Sequence, residues 1–114
     1  MSDGARAAIA ADFAAAVNMT ADELAEWLLT PESHGVGWKG AGRDLQESVG
    51  HSSGRLIVAI LRTPRSRLAD GDYRHMRKVV GFIRRHLAQR PENEVTSRWR
   101  YSLMNWGHDP LKDG

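Results

Sequence analysis

The residues of this sequence best suited to chemistry are the cations between positions 72 and 90. Wound at about 100° per residue, this stretch predicts a helix with an apolar side and an opposite cationic face, which consists of Arg74, Arg77, Lys78, Arg84 and Arg85. Gly81 lies within the cationic face, so no bulky side chain would hold a phosphate backbone away. Cationic side chains on a helix contact phosphate oxygens without reading base sequence. The pattern therefore predicts a nucleic-acid contact surface, with double-stranded DNA as the favoured partner.

A second group of cations precedes this helix: Arg55, Arg62, Arg65 and Arg67. The segment Thr63-Pro-Arg-Ser-Arg67 loosely resembles the arms that enter AT-rich minor grooves. We expect about eight to ten residues between the two middle helices, which is longer than the turn of a helix-turn-helix. The sequence therefore predicts a helical hairpin that docks on the duplex without sequence-specific reading of the major groove.

The charge is unevenly distributed along the chain, although the net charge is only +2. Residues 1–50 hold three Lys/Arg against eight Asp/Glu, a net charge of −5, whereas residues 51–100 hold twelve against four, a net charge of +8. Such asymmetry indicates an anionic partner. The alternative is that the acidic first half folds back and neutralises the basic half within the protein.

The histidines do not have the spacing of metal ligands. The five histidines are scattered along the sequence: His34, His51, His75, His86 and His108. None forms the i, i+4 pair that binds zinc on one helix face, and the chain has no cysteine. We therefore expect no metal site and no cofactor, and we interpret the histidines as polar contacts at the edge of the core.

A catalytic site is not expected either. His108-Asp109 has the form of a general base oriented by a carboxylate. Ser48, Ser52 and Ser53 are available as nucleophiles, but no pattern places them beside His108. An enzyme would require these motifs to converge on a pocket, and we predict a protein that performs no reaction.

The segment Gly50-His-Ser-Ser-Gly54 admits two interpretations. Free amides at a glycine-flanked helix start can bind phosphate. The segment lacks the lysine and the spacing of a nucleotide-binding loop. We therefore favour an ordinary helix start, capped by Ser52 or Ser53.

Helical patterns recur along the chain, and no convincing strand is readable. They predict an all-α, compact bundle of about five helices. The first spans about Ala5–Val17, and the second runs from a Thr20–Glu23 capping box to Pro31. The third runs from Ser52 or Ser53 to Arg62, and the last two span about Asp72–Arg90 and Val95–Asn105. Leu56, Ile57, Ile60 and Leu61 are expected to line the core. A glycine-rich loop over residues 32–42 surrounds Trp38, and Gly107 is expected to end the last, Trp-rich helix.

The domain organisation follows from these elements. Residues 1–18 form an N-terminal Ala-rich helix or arm, residues 19–109 one helical domain, and residues 110–114 a flexible tail. The absence of cysteine fits a reducing compartment. No secretory signal is readable, and the longest apolar run, Leu56–Leu61, is far shorter than a membrane span. We expect a soluble, cytoplasmic protein that does not contact membranes.

Four stretches together resemble a small bacterial and fungal family, catalogued as domain of unknown function number thirty-one forty. They are Glu47-Ser-Val-Gly-His-Ser-Ser-Gly-Arg55, His75-Met-Arg-Lys-Val-Val-Gly81, Arg85-His-Leu-Ala-Gln-Arg-Pro91 and Arg98-Trp-Arg-Tyr-Ser-Leu-Met-Asn-Trp-Gly-His-Asp-Pro110. The resemblance covers much of residues 20–112. It implies no established biochemical role, although some members carry a DNA-binding label.

Residues and resemblance together predict a non-specific DNA-binding protein, associated with the nucleoid or with stress. The alternative is a helical protein-interaction module or a homodimer, whose cationic face meets an acidic protein surface.

Overall fold

The computed structural model describes residues 1–37, 47–91 and 97–112, and these residues form helices and turns without any strand. The α-helices are α1 (Asp3–Ala16), α2 (Ala21–Trp27), α3 (Pro31–His34), α4 (Val49–Leu61), α5 (Asp70–Leu87) and α6 (Arg98–Asn105), and a short 3-10 helix (Arg65–Arg67) lies between α4 and α5. The all-α prediction is confirmed. The Cα radius of gyration is 14.0 Å, close to the roughly 13 Å of a compact chain of this length.

Side-chain caps set the starts of α2 and α4. Thr20 forms the predicted capping box, since its Oγ1 accepts from the Glu23 N–H at 3.1 Å and the Glu23 carboxylate accepts from the Thr20 N–H at 2.8 Å. Helix α4 begins earlier than predicted, because Ser48 is its cap and accepts from the His51 N–H at 3.0 Å. The expectation of Ser52 or Ser53 as the cap is therefore wrong.

Helix α5 begins two residues before the predicted start, Asp72, and ends three residues before the predicted end, Arg90. Its N-cap position is Ala69, which has no side-chain acceptor, and the Asp72 carboxylate accepts from the Ala69 N–H at 2.8 Å. Asp72 therefore stabilises the helix start from inside the first turn rather than as the cap residue.

Pro31 does not simply end the second helix, as the sequence suggested. It opens the additional helix α3 at a position where a missing N–H costs nothing. Thr30 caps this helix, and its Oγ1 accepts from the Ser33 N–H at 3.2 Å. Helix α3 turns Ser33 into the protein, where the residue is completely buried.

The core lies between two helix pairs that α6 joins. Helix α1 packs along α5 and contributes Ile9 and Phe13, while α2 packs on α4, and α6 contacts α2 to α5. Leu56 and Leu61 are 51% and 38% exposed, so their predicted place in the core is wrong. The reason is the orientation of α4, which presses Gly54 against α2 and α6: a Cβ there would lie 2.6 Å from the Asn105 carbonyl oxygen.

A buried hydrogen-bond network fixes α6, and we call Trp27, Ser33 and Asn105 the Asn105 cluster. The Asn105 Oδ1 atom accepts from the Trp27 indole at 2.8 Å and from the Ser33 hydroxyl at 2.5 Å. Its Nδ2 group donates to the Ser33 carbonyl at 3.1 Å. The cluster ties α2, α3 and α6 together, and Asn105 is fully buried.

Gly107 ends α6 as predicted. Its φ of +86° lies in the left-handed region, and the amides of Gly107 and His108 donate to the carbonyls of Met104 and Leu103 in a Schellman arrangement. Residues 32–34 of the predicted loop belong to helix α3, so this part of the prediction is wrong, and the loop from Trp38 onward lies outside the described residues. The predicted helix start at Val95 lies outside them as well. The division into residues 1–18, 19–109 and 110–114 stays a prediction.

Candidate nucleic-acid interface

The exposed side of α5 carries the cationic face. Its periodicity buries Tyr73, Met76, Val79, Val80 and Ile83 against the core, and the cations project from the other side. Arg84 lies 3.4 Å from the Asp12 carboxylate of α1. The other four cations are exposed and form no ion pair with any described carboxylate; they are Arg74, Arg77, Lys78 and Arg85. We call these four residues the unpaired cations.

The cationic face has two edges, each beside a depression. Arg77 and Arg84 border a shallow groove against α1, of about 360 Å³. Lys78 and Arg85 border a cleft that α5 forms with α4 and α6. Gly81 lies between the edges, and the Arg85 guanidinium lies over it, 3.1 Å from the point that a Cβ at position 81 would occupy. The centre of the face therefore has no side chain of its own and lies under the Arg85 side chain.

The second predicted group of cations is split by the structure. Arg55 donates from Nε to the Glu47 carboxylate at 2.7 Å and from its terminal nitrogen to the second oxygen. Hydrogen bonding from Arg55, followed by that from His51, lowers the pKa of Glu47 to about 2 against the opposing effect of burial. Arg62 lies 3.0 Å from the Asp22 carboxylate of α2. Arg55 and Arg62 therefore lie on the α2 side of the bundle, each with an acidic partner.

Arg65 and Arg67 belong to the 3-10 helix between α4 and α5, and both are exposed. Arg65 borders a small depression with Arg6 of α1, whose guanidinium donates to the Asp70 carboxylate at 2.6 Å. The connection from α4 to α5 spans residues 62–69, which agrees with the predicted length. Neither Arg65 nor Arg67 pairs with a described carboxylate.

The alternative of internal neutralisation is realised in part. Three acidic residues of the first half each lie within ion-pair distance of a cation from residues 51–100: Asp12, Asp22 and Glu47. A fourth, Glu23, pairs with Lys112 near the C-terminus. The unpaired cations are left over after this pairing. Exposed ion pairs contribute little to stability, about 0–1 kcal/mol each. The main consequence of the pairing is therefore that it determines which cations remain available for a partner.

His108 and Asp109 lie in the turn that follows α6. The His108 ring is hydrogen bonded through Nδ1 to the Ala16 carbonyl at 2.6 Å, and the Asn18 side chain exchanges hydrogen bonds with the Asp109 backbone. Burial raises the pKa of Asp109, but hydrogen bonds from Arg100 and from the Leu111 amide bring it below its usual value. The motif therefore fastens the end of α1 to the end of α6.

The glycine-flanked segment at the start of α4 faces a different part of the molecule. Gly50 lies against Trp106, whose Nε1 atom would be 3.0 Å from a Cβ at position 50. Residues of this segment line three clefts, and neither His108 nor Asp109 lines any of the three. The two motifs that the enzyme interpretation requires to converge therefore do not meet in these clefts.

Sequence reasoning missed the partner of His75. The Ser53 hydroxyl lies 2.9 Å from the His75 Nε2 atom, and burial, followed by the charge of Lys78, lowers the pKa of this histidine. Ser53 is only 3% exposed. The pair therefore joins α4 to α5 as a partly buried contact at the edge of a cleft, and only the three-dimensional packing reveals it.

An aromatic stack also escaped the sequence analysis. The ring of Trp106 lies between two rings of α5, with centroid distances of 4.2 Å to Phe82 and 6.3 Å to His75, and Phe82 stacks on His86 at 4.5 Å. The spacing of residues 75, 82 and 86 puts them on one side of α5. The shared side of α5 could be predicted from the sequence, whereas the insertion of Trp106 depends on where α6 packs.

The described residues hold no group of three or more potential metal ligands. None of the described helices combines the length and the apolar character that crossing a membrane requires.

The comparisons with known proteins establish the family of the chain. The model of the family described as Protein of unknown function (DUF3140) matches residues 12–104, from the middle of α1 nearly to the end of α6. The chain therefore belongs to this family, and the resemblance seen in the sequence is confirmed. No curated protein and no solved structure matches the chain significantly.

Proposed function

We propose that this member of the family binds DNA without sequence specificity, by docking the cationic face of α5 on the phosphate backbone. The observation that carries the proposal is the set of unpaired cations, four exposed side chains on one face of one helix. A cytoplasmic, nucleoid-associated or stress-related role would suit such a protein. The proposal involves no reaction and no cofactor.

The geometry of α5 supports binding to several phosphates at once. Arg74 and Arg85 are eleven residues apart, which corresponds to about 16 Å along a helix at 1.5 Å per residue. Duplex DNA carries one negative charge per about 1.7 Å of its axis, so a helix of this length can lie against several phosphates. Each neutralised phosphate releases counterions, and the affinity falls as salt is added.

The test is a fluorescence-anisotropy titration with labelled double-stranded DNA, single-stranded DNA and heparin at several salt concentrations. We compare the natural chain with two double variants that lose the same charge. Arg74→Ala/Arg85→Ala removes two unpaired cations, and Arg55→Ala/Arg62→Ala removes two cations that already have acidic partners. Thermal melts followed by circular dichroism verify that both variants fold.

We expect the first variant to weaken binding to all DNA sequences alike. The slope of log affinity against log salt should become shallower by about 1.8, or about 0.9 for each lost phosphate contact. The Arg55/Arg62 variant should keep most of the slope. Equal effects of both variants would show that net charge alone matters and would remove the cationic face as the contact surface. No DNA binding at low salt would overturn the proposed function.

A second candidate function is docking to an acidic protein surface or to a second copy of the chain. Leu56 is half exposed and Val49 is 40% exposed, and both line a depression together with Lys78. Apolar side chains beside a cation are typical of protein interfaces, whereas a phosphate backbone gains little from them. Sedimentation equilibrium of the natural chain and of Leu56→Ser separates the candidates. A dimer that the substitution dissociates would favour the interaction module, and a monomer at all concentrations would exclude the homodimer.

A further inference from the structure

The cleft on the Lys78 edge of α5 has the size and the composition of a small-molecule site. Its volume is about 410 Å³, within the range of about 300–1,000 Å³ that is usual for ligand pockets. We call it the aromatic cleft, and the lining residues that matter here are Gly50, Lys78, Phe82, Arg85, His86 and Trp106.

The wall of the aromatic cleft contains a stack of nearly parallel rings. The rings of Phe82 and Trp106 stack with centroids 4.2 Å apart and an interplanar angle of 13°, and His86 extends the stack at 4.5 Å from Phe82. Burial lowers the pKa of His86, so this ring is neutral at physiological pH. Both faces of the Phe82 ring are covered by its two neighbours, so the stack offers ring edges to the cleft, and the face of a planar ligand can pack on these edges in the edge-to-face geometry that aromatic rings favour.

Trp106 supplies an unused hydrogen-bond donor. The indole N–H groups of Trp27 and Trp99 donate to the Asn105 Oδ1 atom at 2.8 Å and to the His86 carbonyl at 2.6 Å. The Trp106 N–H donates to no described residue, although Trp106 is only 4% exposed. No buried side-chain nitrogen or oxygen of the described residues lacks a partner, so the Trp106 Nε1 atom is open to solvent and can meet a ligand.

Gly50 lies beside this donor. The Nε1 atom lies 3.0 Å from the point where a Cβ at position 50 would be, and both residues line the aromatic cleft. Gly50 also belongs to the first turn of α4, where backbone N–H groups have no intrahelical acceptor. A ligand acceptor at this end of the cleft would meet the indole donor and the positive end of the helix dipole.

Two cations stand at the edge of the same cleft. Lys78 and Arg85 are seven residues apart on α5, about two turns, and neither pairs with a described carboxylate. A site with an aromatic wall, one accessible indole donor and two cations that have no described acidic partner complements a flat ligand that carries negative charge. The cavity is at the small end of the usual range, which favours one or two fused rings.

The geometry points to the aromatic cleft as a binding site for a small planar aromatic anion, of the class of the aromatic carboxylates. The face of the ligand ring packs on the edges of Phe82 and Trp106, an oxygen of the carboxylate accepts from the Trp106 indole N–H, and Lys78 and Arg85 hold the negative charge at the edge of the cleft. This inference is independent of DNA binding, since it concerns a small molecule on one edge of the cationic face.

The indole N–H signals of the protein provide the test. A ¹H–¹⁵N correlation spectrum of the full chain contains one such signal for each tryptophan, and Trp38→Phe identifies the signal of Trp38, which is left out of the comparison. The chain is titrated, without DNA, with indole-3-carboxylate, with the uncharged indole, with cyclohexanecarboxylate and with inorganic phosphate. The Trp27 and Trp99 signals serve as internal controls, because both donors are already engaged.

We expect indole-3-carboxylate to shift the Trp106 signal in a saturable manner, while the Trp27 and Trp99 signals stay in place. Indole and cyclohexanecarboxylate should bind about tenfold more weakly, because each lacks one of the two recognised features. No saturable shift of the Trp106 signal below about 10 mM would overturn the inference. Equal shifts of all three signals, or an equal shift with phosphate alone, would overturn it as well.

Two pairs of surface substitutions separate a built site from general charge. Lys78→Ala/Arg85→Ala should weaken binding of indole-3-carboxylate about tenfold. Arg74→Ala/Arg77→Ala removes the same charge from positions that do not line the cleft, and should change the affinity by no more than about twofold. Equal weakening by the two pairs would overturn the role of Lys78 and Arg85.

Gly50→Ala, whose new methyl group would occupy the space before the indole donor, should abolish the Trp106 shift.

Discussion

At the Asn105 cluster, the polar side chains are buried and paired, whereas on the cationic face most of the charged side chains are exposed and without a described partner. Asn105 uses its carbonyl oxygen twice and its amide once, within a space that excludes water. Arg74 and Arg85 reach no described carboxylate. Polar groups in the first region specify how helices pack, and polar groups in the second are free to meet a partner.

This contrast separates stability from function. A buried polar group is costly unless every hydrogen bond is made, so the Asn105 cluster should be sensitive to any substitution. Exposed cations contribute little to folding, so their concentration on one helix indicates a selection for something other than the fold. The two regions should therefore respond to mutation in opposite ways.

The largest expected effect comes from Asn105→Ala. The substitution leaves the Trp27 indole N–H and the Ser33 hydroxyl buried without their acceptor and opens a small cavity. We expect a loss of about 3–5 kcal/mol of unfolding free energy, measured by urea denaturation with circular dichroism. Arg74→Ala serves as the comparison from the cationic face and should change stability by less than about 0.5 kcal/mol. Similar losses in both variants would contradict the division between the regions.

The second prediction uses one substitution at two glycines. Gly54→Ala would place a methyl carbon 2.6 Å from the Asn105 carbonyl oxygen and 2.7 Å from Leu28, and the backbone oxygen cannot move without shifting α6. We expect a loss of about 2–4 kcal/mol. The matched control is Gly4→Ala in α1, where no atom lies within 4 Å of the new methyl carbon. This control should gain up to about 1 kcal/mol, and a neutral Gly54→Ala would show that α4 and α6 are not packed as described.

The elements that were predicted correctly depend on local patterns. The Thr20 capping box, the Gly107 terminus and the amphipathic character of α5 are each encoded within a few neighbouring residues. Pro31 shows the limit of such reasoning, since a proline is equally compatible with the stop of one helix and the first position of the next.

The features that were missed depend on tertiary packing. The exposure of Leu56 follows from the pressing of Gly54 against α6, and the sequence of α4 contains no sign of that contact. The partners of Arg55 and Arg62 likewise lie eight and forty positions away in the sequence. Which cations remain unpaired could therefore be read only from the structure, although their presence on one helix could be predicted.

The third prediction concerns Glu47, the acidic partner that distinguishes Arg55 from the unpaired cations. The pKa of Glu47 is lowered from 4.5 to about 2, chiefly by the hydrogen bonds from Arg55. Because the folded-state pKa lies below the unfolded value, the stabilisation is present in full above pH 4.5 and is lost as the pH falls toward 2. Part of Glu47 is open to solvent, so we expect a contribution of about 1 kcal/mol.

The variant Glu47→Gln isolates this contribution. Its unfolding free energy should be about 1 kcal/mol lower than that of the natural chain at pH 7, and the two should converge as the pH falls to about 2. Glu26→Gln is a suitable control, since Glu26 is exposed and has no described ion-pair partner. A constant difference between the natural chain and Glu47→Gln at every pH would show that the charge of Glu47 is not what Arg55 recognises.

The smallest expected effect is that of Gly81→Ala, which makes on the cationic face the same substitution that Gly54→Ala makes in the packed interior. Gly81→Ala lies in the middle of the cationic face, and its methyl carbon would lie 3.1 Å from a terminal nitrogen of Arg85, a flexible side chain that can move aside. Alanine favours the helix by up to about 1 kcal/mol over glycine, so we expect a small gain in urea stability, opposite in sign to Gly54→Ala. If the cationic face docks on phosphates, the same variant should lose up to about twofold in DNA affinity, because the centre of the face is filled and Arg85 is displaced. A loss of stability would place Gly81 with the packed glycines instead. A gain in stability with unchanged DNA binding would show that phosphates do not approach the face at its centre.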